Sequence, residues 1–197
     1  MFIPVHQRAH ARSDDSLPWQ SITHDWYHKA LDKPARFLFR LDAKFLHFTC
    51  HHAEKALPHP EARAGEFRAE LWKYDVGEFF LADPRSGRYL EFNLSPNGAW
   101  WAALFDAPRR ISAQECELGR VRASGEIGES SWLAQASIPR QALEKLFPDW
   151  SDLRLNATFI LGSPEQIFVS AADLKAVKPD FHRPAHFPRL RLVGAGA

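Results

Sequence analysis

Val76-Gly-Glu-Phe-Phe-Leu-Ala82, Asp83-Pro-Arg-Ser-Gly87, Arg88-Tyr-Leu-Glu-Phe-Asn-Leu94, Ser95-Pro-Asn-Gly98 and Ala99-Trp-Trp-Ala-Ala-Leu-Phe105 follow one another without interruption. Three apolar, aromatic-rich runs separated by Pro, Gly, Asn and Asp turn residues predict a three-stranded antiparallel meander. Pairing Asp83 with Arg88 across the first turn sets Ala82 opposite Tyr89, Phe80 opposite Glu91 and Glu78 opposite Asn93, all on one face. The reverse face then carries Phe79, Leu81, Leu90, Phe92 and Leu94, an apolar set suited to burial. If Ser95 pairs with Gly98 across the second turn, Trp100 joins Glu78 and Asn93 on the polar face and Trp101 enters the core with Phe92. Pro96-Asn97 is not a usual two-residue hairpin loop, which leaves room for a slip of one residue there.

Outward from the meander, Ala35 to His52 reads as a hairpin split at Asp42-Ala43, and residues 53–70, with Pro58, Pro60 and Gly65, read as a long functional loop. Extended runs at Glu117 to Ala123, Trp132 to Ile138, Leu153 to Leu161 and Ile167 to Ser170 bring the total to about nine strands, at sandwich or barrel spacing. Pro139 opens one short helix that ends before Pro148. The expected fold is therefore an all-β antiparallel sandwich with one short helix. Residues 1–16, polar and His/Arg-rich, read as an N-terminal arm, 17–193 as a single domain and 194–197 as a tail.

At 197 residues the chain suits one domain and excludes a large multidomain enzyme. Its 25 Lys and Arg against 24 Asp and Glu give a net charge of +1, which does not indicate nucleic-acid binding. The aromatic residues are unevenly divided, 15 Phe and 7 Trp against 3 Tyr, so the indoles either fill a core or form a stacking surface. Cys50 and Cys116 fit no zinc spacing and are expected as free thiols. The N-terminus lacks the pattern of a secretory signal, so a cytoplasmic protein is expected, with the mature form of an exported one as the alternative. No apolar run has the length of a membrane helix.

Glu78, Asn93 and Trp100 form a row of carboxylate, amide and indole across the meander. These are the parts of a sugar site: pyranose C–H faces lie on aromatic rings, while carboxylates and amides bind vicinal hydroxyls. The plainer alternative is a half-polar outer sheet face with no ligand.

The segments Leu71-Trp-Lys-Tyr-Asp-Val-Gly-Glu-Phe-Phe-Leu81, Tyr89-Leu-Glu-Phe-Asn93, Pro96-Asn-Gly98, Trp132-Leu-Ala-Gln-Ala-Ser-Ile-Pro139, Leu155-Asn156 and Phe181-His-Arg-Pro-Ala-His-Phe-Pro-Arg-Leu-Arg-Leu192 together resemble the family 9 carbohydrate-binding modules. The resemblance runs from about residue 17 to 193 and implies a jelly-roll-like β-sandwich of the DOMON-like group. It implies a non-catalytic binder of a mono- or oligosaccharide, clamped between two aromatic residues. By position the clamp falls on Trp72 and Phe181, the sugar-binding acid on Glu78 and the hydroxyl-gripping residue on Asn93, with His182 beside the clamp. Phe181 replaces a Trp, Asn93 replaces a basic residue, and Pro188 stands where the family has Gly. Calcium supports loops in some members, and Asp75 is the candidate ligand here. Trp19, Trp26, Trp132 and Trp150 are expected in packing.

Three other functions are open. Glu78 and Glu91, diagonal neighbours on one face, could serve a retaining glycoside hydrolase. A DOMON-like haem site needs axial Met or His, and with Met1 the sole methionine the candidates are His47, His51, His52 and His59. A partner protein could instead dock on the Trp face.

Overall fold

In residues 76–105 the side chains alternate across the sheet as the apolar pattern dictates, and this alternation divides the molecule into a core side and a site side. The protein is described by a computed structural model over residues 1–7 and 17–194. Its strands in chain order are β1 (Phe2–Gln7), β2 (Gln20–His24), β3 (Ala30–Leu41), β4 (Phe45–His52), β5 (Val76–Ala82), β6 (Tyr89–Leu94) and β7 (Trp100–Ala107). They continue as β8 (Arg110–Ile111), β9 (Arg122–Ile127), β10 (Trp132–Pro139), β11 (Arg154–Leu161), β12 (Ile167–Ser170) and β13 (Arg189–Val193). One helix, α1 (Arg140–Leu146), follows β10, with Pro139 at its N-cap and Leu143 as its buried anchor. Among the described residues no helix is long and apolar enough to cross a membrane.

The strands hydrogen-bond in the order β8-β7-β6-β5-β11-β13-β1-β3-β4-β10-β9, with β12 beside β11 and β2 beside β3. The path folds over so that β5 to β7 and β11 face β3, β4 and β10 across one apolar core. Phe79 of β5 stacks on Phe92 at 5.1 Å and meets the edges of Phe39 at 5.7 Å and Phe48 at 5.3 Å from the opposite half. Gly77 permits this closeness, since a Cβ there would lie 2.6 Å from Cys50 Sγ. Cys50 is buried and Cys116 half-buried, both as free thiols.

The first turn forms as expected: Asp83 N–H donates to Arg88 C=O at 2.9 Å, and Glu78 pairs with Asn93 and Phe80 with Glu91. The second turn corrects the expected register. Ser95 N–H donates to Ala99 C=O at 2.8 Å, so Pro96-Asn97-Gly98 is a three-residue loop with Gly98 at φ 87°. Asn93 therefore pairs with Trp101, and Trp100, not Trp101, points to the core side, parallel to Phe92 at 5.7 Å.

Three other expectations need correction. Residues 1–7 are not an arm: β1 lies inside the sheet, parallel to β13 and to β3, so the sandwich is not purely antiparallel. The rest of that arm, residues 8–16, lies outside the described residues, as do 195–197 of the tail. The strand expected at Glu117 to Ala123 begins only at Arg122, after Gly119 turns the chain at φ 66°. Thirteen strands occur among the described residues, four more than the expected runs, because β1, β2, β8 and β13 are short or pair over long sequence distances.

Candidate functional site

The face of β5, β6, β7 and β11 turned away from the core carries Glu78, Phe80, Tyr89, Glu91, Asn93, Trp101, Phe105 and Thr158. Residues 172–187 fold across part of it and form a second apolar cluster, with Phe181 and Phe187 over Phe80 at 6.3 and 5.6 Å. The uncovered part is a cavity of about 370 Å³, within the size range of small-molecule sites. Trp72, Trp101, Phe105, Phe168 and Phe181 wall it, and Glu78, Glu91, Arg109, Asp180 and His182 supply its polar groups. Two larger grooves, about 590 Å³ beside β2 and residues 170–177 and about 880 Å³ beside residues 114–120, also carry rings and carboxylates, but none of their carboxylates is buried.

Trp72 comes from a single 3-10 turn, Leu71–Lys73, entered through Glu70 at φ 67° and anchored by the buried Leu71. Its carbonyl accepts from Gln166 Nε2 at 2.9 Å, and its ring, 38% exposed, sits 5.5 Å from that of Trp101. The long loop before it is held on β7, where Trp100 N–H donates to Glu66 C=O and Arg68 N–H to Trp100 C=O.

Glu78 is 2% exposed and accepts a hydrogen bond from Thr158 Oγ1 at 2.9 Å. Burial, with the charge of Glu91 added, pushes its carboxyl well above the ordinary carboxylate range. Glu91, 6% exposed, accepts from Asn93 Nδ2 at 3.1 Å, and burial raises it to about 7. Arg109 N–H donates to Tyr89 Oη at 3.0 Å, so the tyrosine's own proton points at His182 Nδ1, 2.8 Å away. This assigns the His182 proton to Nε2, which lies 3.7 Å from Glu91 Oε2. Burial holds His182 down at about 4 and raises Tyr89 to about 12, so both are neutral at pH 7. Arg109, at φ 59°, closes the rim by pairing with Asp180 at 2.8 Å.

Of the residues singled out in the sequence, Trp72, Glu78, Phe181 and His182 line this one cavity. Asn93 is fully buried beneath it and acts through Glu91. Trp100 lies elsewhere, between Phe92 and Phe67, on the groove beside residues 114–120. Trp101 occupies the wall position expected of Trp100, because of the one-residue register difference. Tyr89 falls on this face in the register read from the sequence, though its hydrogen-bonding role does not; Phe105 is signalled only by the alternation of β7, and Arg109 and Phe168 by nothing in the sequence reading. Asp75 ties two loops together: its carboxylate accepts from Leu57 N–H at 2.8 Å and Ser163 N–H at 2.9 Å. Both oxygens thus face donors, and no cluster of three or more His, Cys, Asp or Glu that could hold a metal occurs among the described residues. The histidines considered for haem are engaged separately: His47 with Asp42 and Ser137, His52 with Lys33 C=O, His51 edge-on to Trp19, and His59 beside Tyr74.

The fold is that of the family 9 carbohydrate-binding modules. Two structures of such a module from Caldicellulosiruptor kristjanssonii superpose over nearly the whole chain. One is in complex with cellotriose (TM-score 0.64, 10% identity, 100% of this chain and 95% of that one) and one with glucose (0.65, 11%, 98% and 97%). A protein from Bacteroides uniformis described as carbohydrate-binding superposes at TM-score 0.73 with 19% identity, over 97% of this chain and 98% of that one. No protein-family model matches the chain. By sequence it belongs to the UPF0462 protein family: it is 31% identical over 137 residues to the UPF0462 protein C4orf33 homolog of Mus musculus, covering 66% of this chain and 67% of that protein. The UPF0462 protein C4orf33 of Homo sapiens is 29% identical over 127 residues, 64% of this chain and 62% of that protein, so the match spans under two thirds of the human relative.

Proposed function

We propose that the protein is a non-catalytic saccharide-binding module that holds a mono- or oligosaccharide against Trp72 and Trp101. Phe181 forms the opposite wall, and Glu78 and Glu91 bind hydroxyls from the floor. The observation that carries this proposal is convergence: indoles that can stack on C–H faces and buried carboxyls that can accept or donate hydrogen bonds line one small cavity. Asn93 orients Glu91 from below, and His182 Nε2–H adds a donor.

The solved neighbours with glucose and cellotriose suggest the first probes. Calorimetric titration of the intact chain with glucose, cellobiose, cellotriose and a panel of other monosaccharides is expected to show saturable binding. Trp72→Ala is expected to weaken it about tenfold, which corresponds to about 1.4 kcal/mol. Failure of the wild-type chain to bind any sugar of the panel would overturn the proposal.

A further inference from the structure

Three carboxylates line the cavity, and they differ in how their charge is met. Asp180 is neutralised at the rim by Arg109. Glu78 and Glu91 lie on the floor, nearly fully buried, and among the described residues no lysine or arginine pairs with either. Glu78 uses one oxygen to accept from Thr158; its other oxygen has no hydrogen-bond partner among the described residues. Glu91 has an amide on one oxygen and a neutral imidazole beyond the other. Two carboxyls in one low-dielectric cavity need a positive charge before both can ionise. The rings of Trp72, Trp101, Phe80 and Phe105 around them favour a cation as well, since an aromatic face attracts positive charge.

We propose that the ligand class of this site is a saccharide with a free amino group, a protonated hexosamine unit whose ammonium lies between Glu78 and Glu91. This rests on the saccharide-binding proposal above and narrows it. The ring C–H face lies on the indoles while the ammonium donates to Glu91 and to the unpartnered oxygen of Glu78. Without sugar, protonation of the raised carboxyls stands in for a counter-cation. The ammonium takes over that role, so binding releases protons to solvent. Of the other titratable and charged groups that face the pair, Tyr89 and His182 are hydrogen-bonded to each other and neutral, and Arg109, whose charge reaches Glu91, is paired at the rim with Asp180 and makes no ion pair with either glutamate.

The test compares glucosamine, glucose and N-acetylglucosamine on the intact chain by calorimetry at pH 7, in two buffers of different ionisation enthalpy. Glucosamine is expected to bind at least about tenfold tighter than either neutral sugar, with a buffer-dependent heat that reports proton release. Glu78→Gln and Glu91→Gln, neutral and nearly isosteric, are expected to reduce that advantage to about twofold or less, with melting temperatures showing that the variants fold. Equal affinity for the three sugars, a match between N-acetylglucosamine and glucosamine, or an undiminished advantage in both Gln variants would overturn the inference. Binding of glucose with no preference for glucosamine would remove this inference alone and leave the saccharide module standing. No binding by any sugar would remove both.

Discussion

Trp100 and Trp101 are chain neighbours on opposite faces of β7, so truncating each tests a different property. Trp101→Ala is expected to weaken glucose binding about fivefold or more, roughly 1 kcal/mol, with little loss of stability. Trp100→Ala removes the stack on Phe92 and the contact with Phe67; it should cost about 2 kcal/mol in urea unfolding while leaving sugar affinity within about twofold. At Glu91 the folded-state value of about 7 stands above the ordinary 4.5, so the folded protein holds the proton more tightly than the unfolded chain. The stability this confers is full below pH 4.5 and is lost as pH rises to 7. His182 has the opposite sign: its value of about 4 lies below the ordinary 6.5, and its contribution is lost as pH falls through that window. The effect of Glu91→Gln on stability, measured by denaturation at pH 4.5 and at pH 7, should therefore grow more favourable by about 1–3 kcal/mol at the higher pH. An unchanged difference between the two pH values would contradict the assignment.

The turn between β6 and β7 sets which indole reaches the cavity, and it is held from across the sandwich by β9. A Cβ on Gly125 would lie 2.1 Å from Pro96 C=O, and one on Gly98 would lie 2.6 Å from the Ser124 backbone. Gly125→Ala should cost about 2–3 kcal/mol, with tryptophan fluorescence reporting the displaced turn, whereas Gly87→Ala, with open space around it, should cost only about 1 kcal/mol for its positive φ. These contacts also explain what sequence could and could not show. The β5–β6 register was legible because Asp83 to Gly87 is local turn chemistry and both strands alternate cleanly. The β6–β7 register was not, because the choice between a two- and a three-residue loop depends on Gly98 packing against Ser124, a contact 26 positions away. Glu78 was legible as a carboxylate in an apolar strand. The part played by Arg109 and Asp180 was not, since the pair closes over the cavity from segments 71 positions apart.

In the whole molecule the unexpected element is β1, which joins the two halves of the sheet. Ile3 and Val5 are fully buried, and the strand hydrogen-bonds to β13 on one side and β3 on the other. A chain lacking residues 1–7 should lose about 3 kcal/mol or more, read as a lower melting temperature or as association through the freed edges in size-exclusion chromatography. Parallel pairing of segments so far apart in sequence leaves no local signature, and the short apolar run Phe2 to Val5 is overshadowed by the polar, His/Arg-rich sequence that follows it.

Because β1 and β13 run side by side in the same direction, the two ends of the described fold emerge at opposite ends of one strand pair. Phe2 lies beside Arg189, and His6 lies beside Val193, roughly 13 Å further along. Arg189 follows closely on Phe187, whose ring packs over Phe80 of the site-bearing face. A tag, dye or surface linker fused ahead of Phe2 would therefore crowd the segment that roofs the cavity. The same group placed after Val193 would leave the far side as the point of attachment, with the cavity open to titrant.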